Sequence, residues 1–182
     1  MEVVIHSASV GPHLTISILQ GERTMSMGLV LVLTFGIGLV SGLRTFTGSA
    51  AVAWAAHLGW INLSGSALAF MGSKWAVAIF TLLALVEYVT DQLPSTPART
   101  VPVQLGARLV MGILAGACLA VAGGASPWVG AICAALGVIA GTFGGYRARV
   151  GLVRSLKVPD IAIGVPEDLI AIGLGFFLVS RF

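Results

Sequence analysis

Long apolar runs separated by short polar breaks organise most of the chain. The first run covers residues 28–43, through Val30, Leu31, Val32, Leu33 and Phe35, and ends at Arg44. Within it Gly38 and Gly42 stand four apart, a spacing that lets helices approach closely in a membrane. A second run, residues 74–86, ends in Glu87, Tyr88, Thr90 and Asp91, ahead of Pro94 and Pro97. Proline lacks an amide N–H and fixes φ, so the helix stops there. Further runs cover 105–122, 128–143 and 161–180, the last with Pro166, Glu167 and Asp168 in its first part. A spanning helix needs about 20 mainly apolar residues. The pattern therefore predicts about five spans, with loops at 92–104 and 147–157 and a tight turn at 123–127.

Residues 45–73 break this regularity. Thr45, Thr47 and Ser49 interrupt the apolar sequence, 50–60 is only eleven residues long, and 67–71 is shorter still. Neither piece can span alone as a straight helix. A re-entrant or interfacial hairpin of two short helices fits best, and one interrupted span from 48 to about 71 is the alternative. Residues 1–24 are mixed in polarity and make a poor signal peptide. They read as a mobile N-terminal arm or as a mis-assigned start, since Met25 and Met27 stand just before the first run. Residues 25–182 then form a single transmembrane domain.

Composition narrows the class. Of 182 residues 57% are hydrophobic and 9% charged, against about a quarter charged in ordinary soluble domains. The mean hydropathy is +1.01. These values exclude disorder, a coiled coil and a secreted disulfide scaffold. The fold class is all-α, a polytopic transmembrane helical bundle whose main partner is the lipid bilayer. The 24 glycines predict a compact bundle. Cys118 and Cys133 lie in apolar runs and read as small buried hydrophobes. Trp54, Trp60, Trp75 and Trp128 read as interface anchors. The net charge of +3 comes from bases between spans and is no sign of nucleic-acid binding.

The bases also suggest an orientation. With 92–104 and 147–157 on the cytoplasmic side, that side holds Arg99, Arg108, Arg147, Arg149, Arg154 and Lys157. The other holds Arg44, Lys74 and Arg181 if 45–73 does not cross; a crossing would move Arg23 and Arg44. Residues 38–44 can also be laid on 141–147, each a Gly-x-x-small-Gly-x-Arg end to a span. In the hairpin topology these spans run in opposite directions, the arrangement of an inverted repeat with a solute site at the repeat interface.

Candidate chemistry rests on few residues. Beyond the arm the carboxylates are Glu87, Asp91, Asp160, Glu167 and Asp168. Glu87 and Asp91, spaced i and i+4, share a helix face. Such a pair can bind a cation or pass a proton, or it can simply sit hydrated among headgroups. Glu167 and Asp168 either cap a helix beginning at Pro166 or, if the helix starts near Asp160, lie deeper beside a break in its ladder. Arg44, Arg147 and Arg108 are the natural counter-charges. Arg44, Thr45 and Thr47 form a cluster that can hold an anion, or an arginine that snorkels while threonines cap the next helix. His57 reads as a packed or interfacial residue. No metal-ligand spacing, phosphate loop or nucleophile–base motif is present, so no enzyme, cofactor or metal is expected.

The segments 42–47, 50–60, 87–100 and 106–110 (GLRTFT, AVAWAAHLGW within AAVAWAAHLGW, EYVTDQLPSTPART and GARLV) resemble a bacterial integral-membrane family, the domain-of-unknown-function 4126 family. The resemblance covers about residues 28–180. It implies a multi-pass protein of the bacterial inner membrane and assigns no activity or site. The leading expectation is a small transporter or channel for an ion or small solute, as a homodimer or larger. Glu87, Asp91, Glu167 and Asp168 would form its cation or proton sites, with Arg44 and Arg147 as counter-charges. The rival is a non-transporting membrane assembly or scaffold protein. Acids facing the bundle interior would favour transport, and acids at headgroup level the rival.

Overall fold

A computed structural model describes residues 25–91 and 101–182. The arm at 1–24, and most of the loop at 92–104 with Arg99, lie outside the described residues. The helices are α1 (Met27–Leu43), α2 (Thr47–His57), α3 (Lys74–Thr90), α4 (Pro102–Ala122), α5 (Pro127–Leu156) and α6 (Asp160–Val179). A 3-10 turn at Ala69–Gly72 precedes α3, and no strand occurs among the described residues. Helices α4, α5 and α6 are long and apolar enough to cross a membrane, and α1 is a shorter apolar helix. These helices suggest a membrane protein.

Local chemistry accounts for the helix ends. Ser26 and Ser73 accept the amide N–H of Leu29 and Ala76 through their hydroxyls, capping α1 and α3. Pro102 and Pro127 open α4 and α5, where a missing N–H costs nothing. Lys157, with φ +52°, ends α5.

Glycine contacts build the centre. The most extensive helix contact joins α1 to α5. A Cβ at Gly38 would collide with the backbone of Ala134, and one at Gly137 or Gly141 with the backbone of α1 at Phe35 or Leu39. Helix α4 closes on α5 in the same way, Gly116 facing Gly130. The expected small-residue face at Gly38 and Gly42 is therefore used within the chain.

The register corrects the repeat. Cys133 Sγ donates to the Leu31 carbonyl, Gly137 lies against Phe35, and Thr142 bonds the Gly42 carbonyl. Position numbers rise together, so α1 and α5 run parallel. Their Gly–Arg ends lie at one end of the bundle, which is not the opposed arrangement that an inverted repeat of 38–44 and 141–147 requires.

Residues 45–73 also differ from the hairpin. Thr47 Oγ1 meets Tyr88 OH at 2.7 Å, Trp54 Nε1 donates to Thr81 Oγ1 at 3.0 Å, and His57 Nδ1 meets the Gly72 carbonyl at 2.9 Å. Helix α2 thus runs antiparallel to α3, and the segment passes from one end of the bundle to the other. Its small side chains explain this: Ala51, Val52, Ala53 and Ala55 are buried, with α1, α3, α4 and α6 packed around them. A helix so enclosed has no apolar face left for an interface. Residues 58–73 complete the traverse through turns, with Gly59 and Gly65 at positive φ.

The crossing moves Arg44 to the end that holds Arg108, Arg147, Arg149, Arg154 and Lys157, leaving Lys74 and Arg181 at the other. Trp60, Trp75 and Trp128 are exposed at that second end. Trp54 is instead held inside by Thr81.

Two substitutions test the glycine packing. Gly137→Val drives a side chain into the α1 backbone and is expected to destabilise by about 1–3 kcal/mol or more. Gly144→Ala meets nothing within 4 Å and should be neutral or stabilise by up to about 1 kcal/mol. Thermal unfolding of the detergent-solubilised chain separates the two.

Candidate functional site

Between Leu43 and Thr47 the chain leaves one helix and begins another inside the bundle. A helix end exposes carbonyls and a helix start exposes amides, and buried groups of this kind need partners. Arg108 Nη1, from α4, donates to the Gly42 and Leu43 carbonyls, both at 2.8 Å. Thr142 Oγ1, from α5, donates to the same Gly42 carbonyl at 3.2 Å. Across the break, Glu87 of α3 accepts the Thr45 N–H through Oε1 at 2.6 Å and the Phe46 N–H through Oε2 at 3.0 Å. A carboxylate at the start of α2 and a guanidinium at the end of α1 both complement the helix dipoles.

Charge spreads outward from this break. Arg108 Nη2 lies 3.7 Å from Glu87 Oε1 and 3.8 Å from Asp91 Oδ2. Arg44 pairs through Nη1 with Asp91 and through Nε with Asp168, and its Nη2 lies 3.9 Å from Glu167 Oε2. Arg149 Nη1 meets the same Glu167 oxygen at 3.2 Å, and Arg149 also binds Asp160, with Nε 2.9 Å from Oδ1. Arg44 and Arg108 are 0% and 1% exposed, Glu87 and Asp168 7% and 8%. Among the described residues, one continuous network thus joins Glu87, Asp91, Asp160, Glu167 and Asp168 with Arg44, Arg108 and Arg149.

Most sequence-derived candidates meet here. Arg44, Glu87, Asp91, Glu167 and Asp168 are joined directly. Thr45 donates its backbone N–H to Glu87, and the hydroxyls of Thr47 and Tyr88 meet. Arg147 does not join: it is exposed, and Arg149 and Arg108 supply the counter-charges in its place. Helix α6 begins at Asp160 with Pro166 inside it, so Asp168 lies two turns in and buried rather than capping a helix from Pro166. The signal for Arg149 was present. It stands seven residues after Thr142, on the same face of one long helix, whereas Arg147 falls on another face.

Two cavities near these elements are larger than a third, of about 170 Å³, lined by Thr47, Trp54, Thr81 and Tyr88 among others. One, about 270 Å³, lies between α5 and α6, walled by Leu43, Leu152, Ile163 and Ile170, with Arg149 and Glu167 at its edge. The other, about 580 Å³, lies at the far end of α2 and includes Asn62, Ser64 and Ser73. No group of three or more potential metal ligands occurs among the described residues.

The family described as "Domain of unknown function (DUF4126)" matches residues 31–180. No curated protein and no solved structure matches the chain.

Removing one partner of a buried ion pair strands the others, at a cost of about 3–5 kcal/mol. Arg44→Ala is therefore expected to destabilise the folded chain by that amount. Arg147→Ala should change stability by no more than about 0.5 kcal/mol. Paired thermal or denaturant unfolding curves distinguish a central Arg44 from an exposed Arg147.

Proposed function

We propose that this chain, which belongs to the DUF4126 family, is a multi-pass membrane protein that moves a proton or small cation through its buried carboxylate network. The bacterial inner membrane is the proposed location, with the network end on the cytoplasmic side, where the bases of α5 gather. The observation that carries the reading is the inward placement of the acids. A charged side chain in the membrane interior costs roughly 3 kcal/mol or more, and such groups cluster on ion and proton pathways.

The proposed route follows the network. Glu167 meets the α5–α6 cavity at one end of the network, and Glu87 holds the start of α2 at the other. A proton or cation arriving at Glu167 weakens that residue's hold on Arg44 and Arg149. Arg44 then shifts its weight toward Asp91 and Asp168, and through them toward Arg108 and Glu87. Helix α2 separates the network from the cavity at its far end, so movement of α2 would open the second side. Half-length helices at a central site serve transporters in this way. A second copy of the chain is the proposed partner that completes the enclosure.

Flux in proteoliposomes tests the proposal. The wild type is expected to carry protons or a monovalent cation, and Asp168→Asn and Glu87→Gln to lower the rate at least tenfold while remaining folded. Absence of flux in folded wild-type protein, across protons and a panel of small cations, would overturn transport. The chain would then read as a membrane assembly or scaffold protein.

A further inference from the structure

Helix α2 carries no cap of its own. Phe46 stands at its cap position with no side-chain hydrogen bond, where serine or aspartate ordinarily serves. Glu87 of α3 supplies the acceptors instead, Oε1 taking the Thr45 N–H at 2.6 Å and Oε2 the Phe46 N–H at 3.0 Å. A protonated carboxyl turns one of its oxygens into a donor. One of the two amides then loses its partner, and the other bond loses the strength that charge lends it. The loss falls on α2, because Arg108 keeps Asp91 and the Gly42 and Leu43 carbonyls. Farther along, α2 meets α3 through neutral groups, Thr47 with Tyr88 and Trp54 with Thr81. Beside these contacts lies the cavity of about 170 Å³, walled also by Ala50 and Ala84 and by Phe176 of α6. It leaves α2 room on that side.

We propose that Glu87 is a latch on α2: ionised, it fixes the start of that helix against α3, and on taking up a proton it lets the helix shift toward the cavity. The inference rests on the transport reading and names the step that opens the far side to the network. Around Glu87, Arg108 of α4 lies 3.7 Å from Oε1, and Asp91 and Tyr88 stand on its own helix. Arg44 of the α1–α2 break, Glu167 and Asp168 of α6 and Arg149 of α5 follow in the network. Helix α1 has no titratable side chain, and His57 of α2 lies at the far end.

Hydrogen exchange and tryptophan emission of the full chain in nanodiscs test this. Glutamine imitates the protonated acid, with one acceptor oxygen. At neutral pH the Thr45 and Phe46 amides of Glu87→Gln are expected to exchange at least tenfold faster than in the wild type, with residues 134–142 of α5 unchanged. In a chain whose Trp60, Trp75 and Trp128 are replaced by phenylalanine, the emission of Trp54 should shift as the pH falls toward about 4, the ordinary carboxylate range. With Glu87→Gln added, that shift should already be present at neutral pH and no longer respond to acid. Wild-type exchange at Thr45 and Phe46 in folded Glu87→Gln, or a Trp54 response to acid that survives in it, would overturn the latch. If that variant does not fold, the chain with Glu87 intact decides: a Trp54 response accompanied by faster exchange at Thr45 and Phe46 than at 134–142 upholds the latch, and any other result overturns it. Flux that persists while α2 stays fixed would overturn this inference alone. Acid release of α2 without flux of any ion would uphold the latch and overturn the transport reading.

Discussion

An interrupted helix in an apolar bundle must find partners for its backbone within the protein, because no water is there to serve. That constraint at residues 44–46 sets the rest of the structure in order. Arg108 takes the last carbonyls of α1, and Glu87 takes the first amides of α2. Using charged groups for this creates a second demand, since a buried charge needs an opposite one. Arg108 is answered by Glu87 and Asp91, and Arg44 by Asp91 and Asp168. Each answer fixes where another helix sits along the bundle, so α3, α4 and α6 are registered by one break in the chain.

Shape and charge divide the work of holding these helices. Helices α1, α4 and α5 meet through glycines, with backbones close enough that added side chains would collide. Helices α3 and α6 are held differently. They flank α2 and are tied to each other through Arg44, which holds Asp91 of one and Asp168 of the other. A packed seam is stiff, because dispersion falls off steeply with small gaps. An ion-pair linkage can redistribute among partners when one carboxylate changes charge. The bundle thus joins a half held by glycine contacts to a half held by ion pairs.

Much of this was legible in the sequence. The apolar runs located α1, α3, α4 and α6 closely, and the scarcity of acids singled out those that form the network. The errors have physical causes. Gly144, Gly145 and Gly151 among several bases read as a loop, yet nothing crowds Gly144 or Gly151 in α5 and the helix continues through all three. Ending the helix early hid the face shared by Thr142 and Arg149, so Arg147 stood in for Arg149. Length ruled against a crossing at 45–73 because a straight helix was assumed. Eleven helical residues followed by turns make the same traverse when neighbouring helices enclose them. The break at Arg44 could not be recognised as buried, since burial there comes from α3, α4 and α6, distant in sequence.

Gathering every carboxylate of residues 25–182 into one network leaves its mark on the exterior. Arg147, Arg154 and Lys157 remain at one end with no acid of those residues to offset them, and Lys74 and Arg181 at the other. Among the described residues the bases at the rim therefore outnumber the exposed acids. A bilayer leaflet rich in anionic lipid attracts such bases by about 1 kcal/mol each, within a Debye length of its surface. With Glu87, Asp91, Glu167 and Asp168 withdrawn from the surface and only Asp160 exposed, the bases of the outer collar are left facing whatever lipid surrounds them.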